Sequence, residues 1–225
     1  MEPQSAYPAV CWHQVIDSTN NYAKTNIRDL DNMSVVAAVH QTAGRGQGSH
    51  HWVSRPGENL TFSLVLKFGK GGVSELKASE AVRITHFFTV ALCCFLAEEE
   101  VEARIKWPND IWVGDRKICG ILVENTFESG LVSSSIIGIG LNLNQKEFDP
   151  SLPNPVSLGQ LTGKEYNPAG TLDRLYGMFL SHASLLDTEK GREELESEFS
   201  RRMFVLEKPL QDELRDSIER YEATR

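Results

Sequence analysis

Three stretches of this 225-residue chain set residue types at spacings that chemistry uses. The first is Gln41-Thr42-Ala43-Gly44-Arg45-Gly46-Gln47-Gly48-Ser49-His50-His51-Trp52. Glycines at 44, 46 and 48 let a backbone approach a ligand closely and aim its N–H groups at an anion. Arg45, between two of them, adds a cation suited to a charge-assisted contact with phosphate or carboxylate. The same composition also describes a flexible hairpin tip, and no Gly-Lys-Ser/Thr follows as in a P-loop. The second stretch is Lys106-Trp107-Pro108-Asn109-Asp110, with Lys117 and Gly120 beyond it. A Trp-Pro turn pins Asn109 and Asp110 at a strand end. Lys117 and Gly120 fall on the return strand of a hairpin, where strict alternation puts residues three apart on opposite faces. Gly120 leaves room for a flat ligand against the sheet, whereas a lone lysine on such a strand is usually just solvated. The third is Gly138-Ile139-Gly140-Leu141-Asn142, whose two glycines share a strand face and make a floor free of side chains. That floor suits a ring or a closely packed helix. It lacks the third glycine and following helix of a dinucleotide fingerprint.

Other chemistries find little support. His50-His51 has no H-E-x-x-H context and the six histidines are scattered, so no metal site built from side chains is expected. There is no G-x-S-x-G elbow, and Cys93-Cys94 lies in an apolar helical pattern where a thiol is inert. The four cysteines form no C-x-x-C and read as reduced thiols. With no evident protein nucleophile, the chemistry fits one bound substrate attacking another.

The elements that must position these residues follow from composition and pattern. A chain 40% apolar and 24% charged, with 17 glycines and 9 prolines, is neither disordered nor a disulfide scaffold, and has the length for one substantial domain. Its net charge of −8 argues against broad nucleic-acid binding. MEPQSAYPAV carries no signal peptide, and the apolar run Phe87–Ala97 is roughly half the ~20 residues of a membrane span. The expectation is a cytoplasmic protein without a membrane partner.

Strands are expected at 11–16, 34–40, 59–68, 103–107, 111–113, 117–127 and 131–142, with a tight Gly114-Asp115 hairpin. Asp17-Ser18-Thr19 offers N-cap chemistry for a helix to about Asn26. Ala81, Ile84, Phe88, Leu92 and Phe95 mark the buried face of a long helix over 73–99. Further helices are expected at 171–186, 189–203 and 208–224. Hairpinned strands with helices before and after predict an α+β domain, a mixed sheet with helices on one face.

Taken together, these stretches closely resemble the catalytic domain of biotin–protein ligases. The resemblance rests on Asp17-Ser18-Thr19-Asn20, Gln41-x-x-Gly44-Arg45-Gly46 with Trp52, Lys106-Trp107-Pro108-Asn109-Asp110, Lys117-x-x-Gly120 and Gly138-x-Gly140-x-Asn142, in family order. It covers about 11–144, more weakly the helices to 203, and the Lys106–Asp110 string is its most specific part. It implies the class II aminoacyl-tRNA synthetase-like fold, with a mixed, largely antiparallel sheet. The implied reaction is ATP- and Mg²⁺-dependent: biotin becomes biotinyl-5′-AMP, then acylates a lysine of a biotin carboxyl carrier protein or domain. In the implied site, Ser18, Thr19 and Gln41 bond the ureido ring, Trp52 covers the acyl chain, and Gly44, Gly120, Gly138 and Gly140 shape the biotin pocket. Arg45 and Lys117 offset charge growing on carboxylate and phosphate oxygens, and Asp110 orients or deprotonates the acceptor lysine. Gln47, Asn109 and Asn142 contact the nucleotide, and magnesium comes with ATP.

Two departures from the family pattern are visible. Gln47 stands where many members carry an arginine that helps hold the adenylate, and glutamine brings no charge. A catalytic domain is expected over 1–207 and a charged helical tail over 208–225 in place of the usual C-terminal β domain. Ten residues before the first strand leave no space for a DNA-binding helix-turn-helix, so no DNA partner is expected. Sheet edges at 111–113 and 131–142 suggest a possible homodimer. The alternatives are a lipoate or octanoyl ligase or transferase of the same fold, and a non-catalytic biotin binder.

Overall fold

The computed structural model describes residues 10–204 apart from Ser49, Ser151 and Pro153, so the expected 208–224 helix lies outside the described residues. Seven strands form one sheet: β1 (Cys11–Ile16), β2 (Val35–Gln41), β3 (Leu60–Lys67), β4 (Arg104–Lys106), β5 (Asp110–Val113), β6 (Arg116–Glu128) and β7 (Leu131–Leu141). Their spatial order is β1-β2-β3-β7-β6-β5-β4. Only β1 and β2 run parallel, joined through helix α1 (Thr19–Thr25) as a parallel pair requires; every other neighbouring pair is antiparallel. This is the expected mixed, largely antiparallel α+β sheet. The expected β5–β6 hairpin turns at Gly114, whose φ of 60° suits glycine.

Strand alternation divides the buried side chains between two layers. Leu60, Phe62, Leu64 and Leu66 of β3, with Ile137, Ile139 and Leu141 of β7, face the main core under helix α2 (Val82–Glu98). On the opposite face Val36, Val65 and Ile136 pack with Ala23 of α1. Covered on both sides, β3 is buried from Leu60 through Leu66 although its sequence alternates. The later helices α3 (Leu158–Thr162), α4 (Pro168–Ser181), α5 (Ser184–Asp187) and α6 (Glu189–Arg202) add Leu158, Phe179, Leu185 and Phe199 to the main core. The helices therefore share one face except α1, which lies on the other, beside the glycine-bearing strands.

Several boundaries differ from expectation for local reasons. The helix expected over 73–99 begins only at Val82, after a 3₁₀ turn at Ala78–Glu80, because Val73 and Lys77 bridge to Phe68 and Leu131. With that turn, Ala78–Glu98 is long and apolar enough to cross a membrane by composition, but most of it is buried against the sheet. The helix expected over 171–186 starts earlier, on an Asn167 cap with Pro168 in its first turn, and breaks after Ser181. Sequence reasoning missed α3, although Ser157-x-x-Gln160 forms a full capping box there. The segments expected as dimer edges are not edges: β5 lies between β4 and β6, and β7 between β3 and β6.

One buried carboxylate ties the end of α2 to the later helices. Glu99 accepts from Arg174 Nη1 at 2.6 Å, the Tyr166 hydroxyl at 2.8 Å and Lys164 Nζ at 3.1 Å. Burial alone would push its pKa up, but these three donors outweigh burial and bring it down to about 2.

Candidate active site

A cavity of about 350 Å³ opens where α1, the loop after β2 and strands β5–β7 meet, a size suited to a small-molecule ligand. Its first wall is the start of α1. Ser18 occupies the N-cap position, but its hydroxyl makes no capping bond. Gln41, at the end of β2, caps from outside: its Oε1 accepts from the Thr19 backbone N–H at 2.8 Å and the Thr19 hydroxyl at 3.2 Å. Beneath them Ser63 Oγ lies 2.7 Å from Thr19 Oγ1 and 2.6 Å from Asn20 Oδ1. Ser18, Thr19 and Asn20 are all buried, so the turn is a rigid polar wall rich in donors and acceptors.

The glycine-rich loop forms a second wall. It folds back on itself through Gly46 N–H to His50 C=O at 2.8 Å and Trp52 N–H to Gly44 C=O at 3.0 Å. Gly44 lies outside the cavity lining, where a Cβ would strike the Trp52 carbonyl. The folded loop delivers the Trp52 indole onto β7, where a Cβ on Gly140 would collide with the ring. Gly138 is bare for another reason: Asn20 occupies the space a side chain would need. The expected floor therefore exists, but Asn20 and Trp52 cover much of it. The Trp52 indole N–H is buried in this wall without a partner, so it can serve a ligand acceptor.

The third wall carries the charge. Registers Ile111↔Cys119 and Trp112↔Lys117 leave Ile118 unpaired in a β-bulge. Ile118 and Cys119 consequently both point into the core, fully buried. Lys117 is returned to the face of Gly120, correcting the opposite faces expected from their spacing: a Cβ on Gly120 would lie 3.3 Å from Lys117 Nζ. Lys117 Nζ is 2.8 Å from Asp110 Oδ1 and 5.8 Å from the Trp52 ring centre. Lys106, also lining the cavity, sits 4.4 Å over the Trp112 ring. Asn109 lines the same wall and donates its side-chain amide to the Ile121 carbonyl. Burial pushes the Cys93 thiol up to about 12 and the Cys119 thiol up as well, consistent with a site that uses no thiol nucleophile.

Two of the expected contacts turn out differently. Asn142 does not reach the cavity: it is 4% exposed, and its amide donates to the Val156 carbonyl at 3.1 Å. It holds the chain following β7 through that bond. Arg45 lines the cavity, but its guanidinium is turned to Glu124, at 2.9 and 3.2 Å, and to Asn21 Oδ1 at 3.0 Å. Gln47 does line the cavity, exposed at its rim. Sequence reasoning quoted Lys106 and Asn20 within their motifs without giving either a role of its own, and passed over Glu124. Glu124 lies four residues beyond Gly120 and so on its face.

Residues 12–142 match the family model described as the biotin/lipoate A/B protein ligase family. The chain is 32% identical over 176 residues to the biotin–[acetyl-CoA-carboxylase] ligase of Paracoccus denitrificans, covering 76% of this chain and 72% of that one. It is 34% identical over 140 residues to the bifunctional ligase/repressor BirA of Escherichia coli, which spans 62% of this chain but 42% of that protein. The chain thus spans half or less of the length of the bifunctional relatives it matches. Its fold matches that of a biotin protein ligase from Aquifex aeolicus in complex with biotin and ATP, with a TM-score of 0.72 at 23% identity, over 89% of this chain and 80% of that one.

Proposed function

Because this chain belongs to the biotin/lipoate A/B protein ligase family, we propose that it activates biotin with ATP as biotinyl-5′-AMP and passes the biotinyl group to a lysine of a biotin carboxyl carrier protein or domain. The observation that carries this reading is the convergence, in one cavity, of the polar α1 turn, Trp52 and the Lys117–Asp110 pair. A neutral ureido ring needs donors and acceptors together, and the turn at Ser18, Thr19 and Gln41 supplies both. The Trp52 ring, lying on Gly140, offers an apolar wall for an acyl chain and an unused N–H.

In the first step a biotin carboxylate oxygen bonds to the α-phosphorus of ATP as the bond to pyrophosphate breaks. Negative charge accumulates on the phosphoryl oxygens, and Lys117 and Lys106, both lining the cavity, are the cations placed to meet it. In the second, the acceptor amine attacks the acyl carbon and AMP leaves. Asp110 is the one carboxylate among the described cavity residues, and it takes the amine's proton or orients the amine. Magnesium enters as part of the substrate MgATP. Among the described residues no group of three His, Cys, Asp or Glu side chains is placed to bind a metal.

Residues 1–207 act as the catalytic domain and 208–225 as an appended tail. Four free thiols favour a reducing, cytoplasmic setting. Self-association through sheet edges moves to β6 beyond Ile121, since β5 pairs with β6 only as far as Gly120. Biotin-dependent ATP–pyrophosphate exchange tests the reading. Exchange with biotin but not lipoate, lost in Lys117→Ala, supports it. Exchange with lipoate instead favours the lipoate branch of the family, and biotin binding without exchange leaves a non-catalytic binder.

A further inference from the structure

Glu124 lies outside the cavity lining, yet it gathers side chains from two of the cavity's walls. Its carboxylate accepts from Asn20 Nδ2 at 3.0 Å, from both terminal nitrogens of Arg45 at 2.9 and 3.2 Å, and from Lys24 Nζ at 3.3 Å. It is only 19% exposed, so the paired guanidinium contact is partly shielded from water. Burial alone would push its carboxyl up, but Asn20 and Arg45 outweigh that and hold it below the usual carboxylate range. Arg45 in turn is the side chain by which the glycine-rich loop grips the rest of the fold at this point. From it the loop runs through the Gly46–His50 and Gly44–Trp52 backbone bonds to the indole resting on Gly140.

We propose that Glu124 is a positioning residue that latches the 41–52 loop over the cavity through Arg45, and that Arg45 serves the site as this latch rather than as a cation on the reacting phosphate. The two terminal nitrogens of Arg45 face one carboxylate, and the same carboxylate fixes Asn20, so loop and α1 are registered against a single point on β6. The reacting charge is then left to Lys117 and Lys106. This inference rests on the ligase reading for its kinetic consequences, but the latch itself does not depend on turnover.

Two measurements test it. In hydrogen exchange on the full chain, the Gly46 and Trp52 amides should be protected in the wild type. They should exchange about tenfold faster in Glu124→Gln and in Arg45→Gln, as expected for loss of a coupled charge pair. Arg45→Gln alters only the exposed partner, so it remains informative if Glu124→Gln folds poorly. In kinetics, both variants should raise the biotin KM and the release rate of biotinyl-5′-AMP by a similar factor, with a smaller change in kcat. The exchanged pair Arg45→Glu with Glu124→Arg should recover part of the protection. Unchanged amide protection in both variants overturns the latch, as does a kcat loss of about a hundredfold in Arg45→Gln that Glu124→Gln does not share. A wild type that protects these amides but makes no pyrophosphate overturns the ligase reading instead.

Discussion

Lys117 and Gly120 share one face of β6 although three positions separate them, because Ile118 is bulged out of the ladder and buried beside Cys119. The bulge is what turns a lysine that alternation would send into the core toward Asp110, 2.8 Å away. Gly120 is what lets the ammonium lie there: a Cβ at that position would stand 3.3 Å from Lys117 Nζ and 3.1 Å from the Trp52 ring. The positive charge of the site thus depends on a backbone irregularity as much as on residue type.

Lys117→Ala should therefore abolish charge stabilisation without disturbing the core. We expect biotin-dependent pyrophosphate exchange to fall roughly 10²–10³-fold, with the unfolding midpoint unchanged. Asp110→Asn should separate the two half-reactions, lowering acyl transfer from preformed biotinyl-5′-AMP far more than exchange. Single-turnover transfer across a pH series reads this directly, and equal losses in both steps would refute the base assignment.

The two glycines of β7 should respond differently to alanine. At Gly140 the new methyl meets the Trp52 ring, which forms one wall of the cavity, so its main effect should be a drop in biotin affinity. At Gly138 it meets Asn20, itself buried and bonded to Ser63 and Glu124, so the protein should lose about 1–3 kcal/mol of stability from overpacking. Chemical denaturation and biotin titration of the two variants, side by side, check this; equal stability in the two variants would mean that Asn20 does not fill the floor at Gly138.

Much of this architecture was legible because strand alternation, the long apolar helix and the Lys106–Asp110 string are local signals. β3 was readable at Leu60, Phe62, Leu64 and Leu66, but not the burial of its other face, which follows from α1 crossing back over Ser63 and Val65. The bulge at Ile118 left no mark, since Ile-Cys is ordinary in any strand. The bond of Asn142 to the Val156 carbonyl left no mark either, because that partner comes from a later segment. Gln41 as the cap of α1 was equally hidden: an expected Ser18 cap was the local solution, and the fold used a residue 22 positions from Thr19. What sequence cannot display is pairing between distant segments, and Glu124 with Arg45 is of that kind.

Glu99 makes stability depend on acid. Its pKa is lowered from 4.5 to about 2 in the folded chain, so it contributes stability that is fully present above about pH 5 and is lost as pH falls toward 2. At neutral pH the difference amounts to about 3 kcal/mol. Glu99→Gln should be less stable than the wild type at pH 7 by an amount of that order. The gap between the two should close as denaturation is repeated from pH 5 down to pH 2. A gap that stays constant over that window would mean that the Arg174, Lys164 and Tyr166 contacts do not favour the ionised form.

Gln47 sits on the cavity rim within the loop that Arg45 anchors, and as a neutral amide it can offer hydrogen bonds but no charge. An adenylate carries a phosphate whose negative charge persists after pyrophosphate has left, so the rim position matters most between the two half-reactions. Gln47→Arg should slow release of biotinyl-5′-AMP by about tenfold, the size of one added charge-assisted contact. It should leave the exchange rate at saturating substrates little changed, because the loop closure itself is set elsewhere. Trapping released intermediate after a single turnover measures this. Equal release from both forms would place the retained phosphate out of reach of residue 47 and shift its recognition to Lys106 and Lys117.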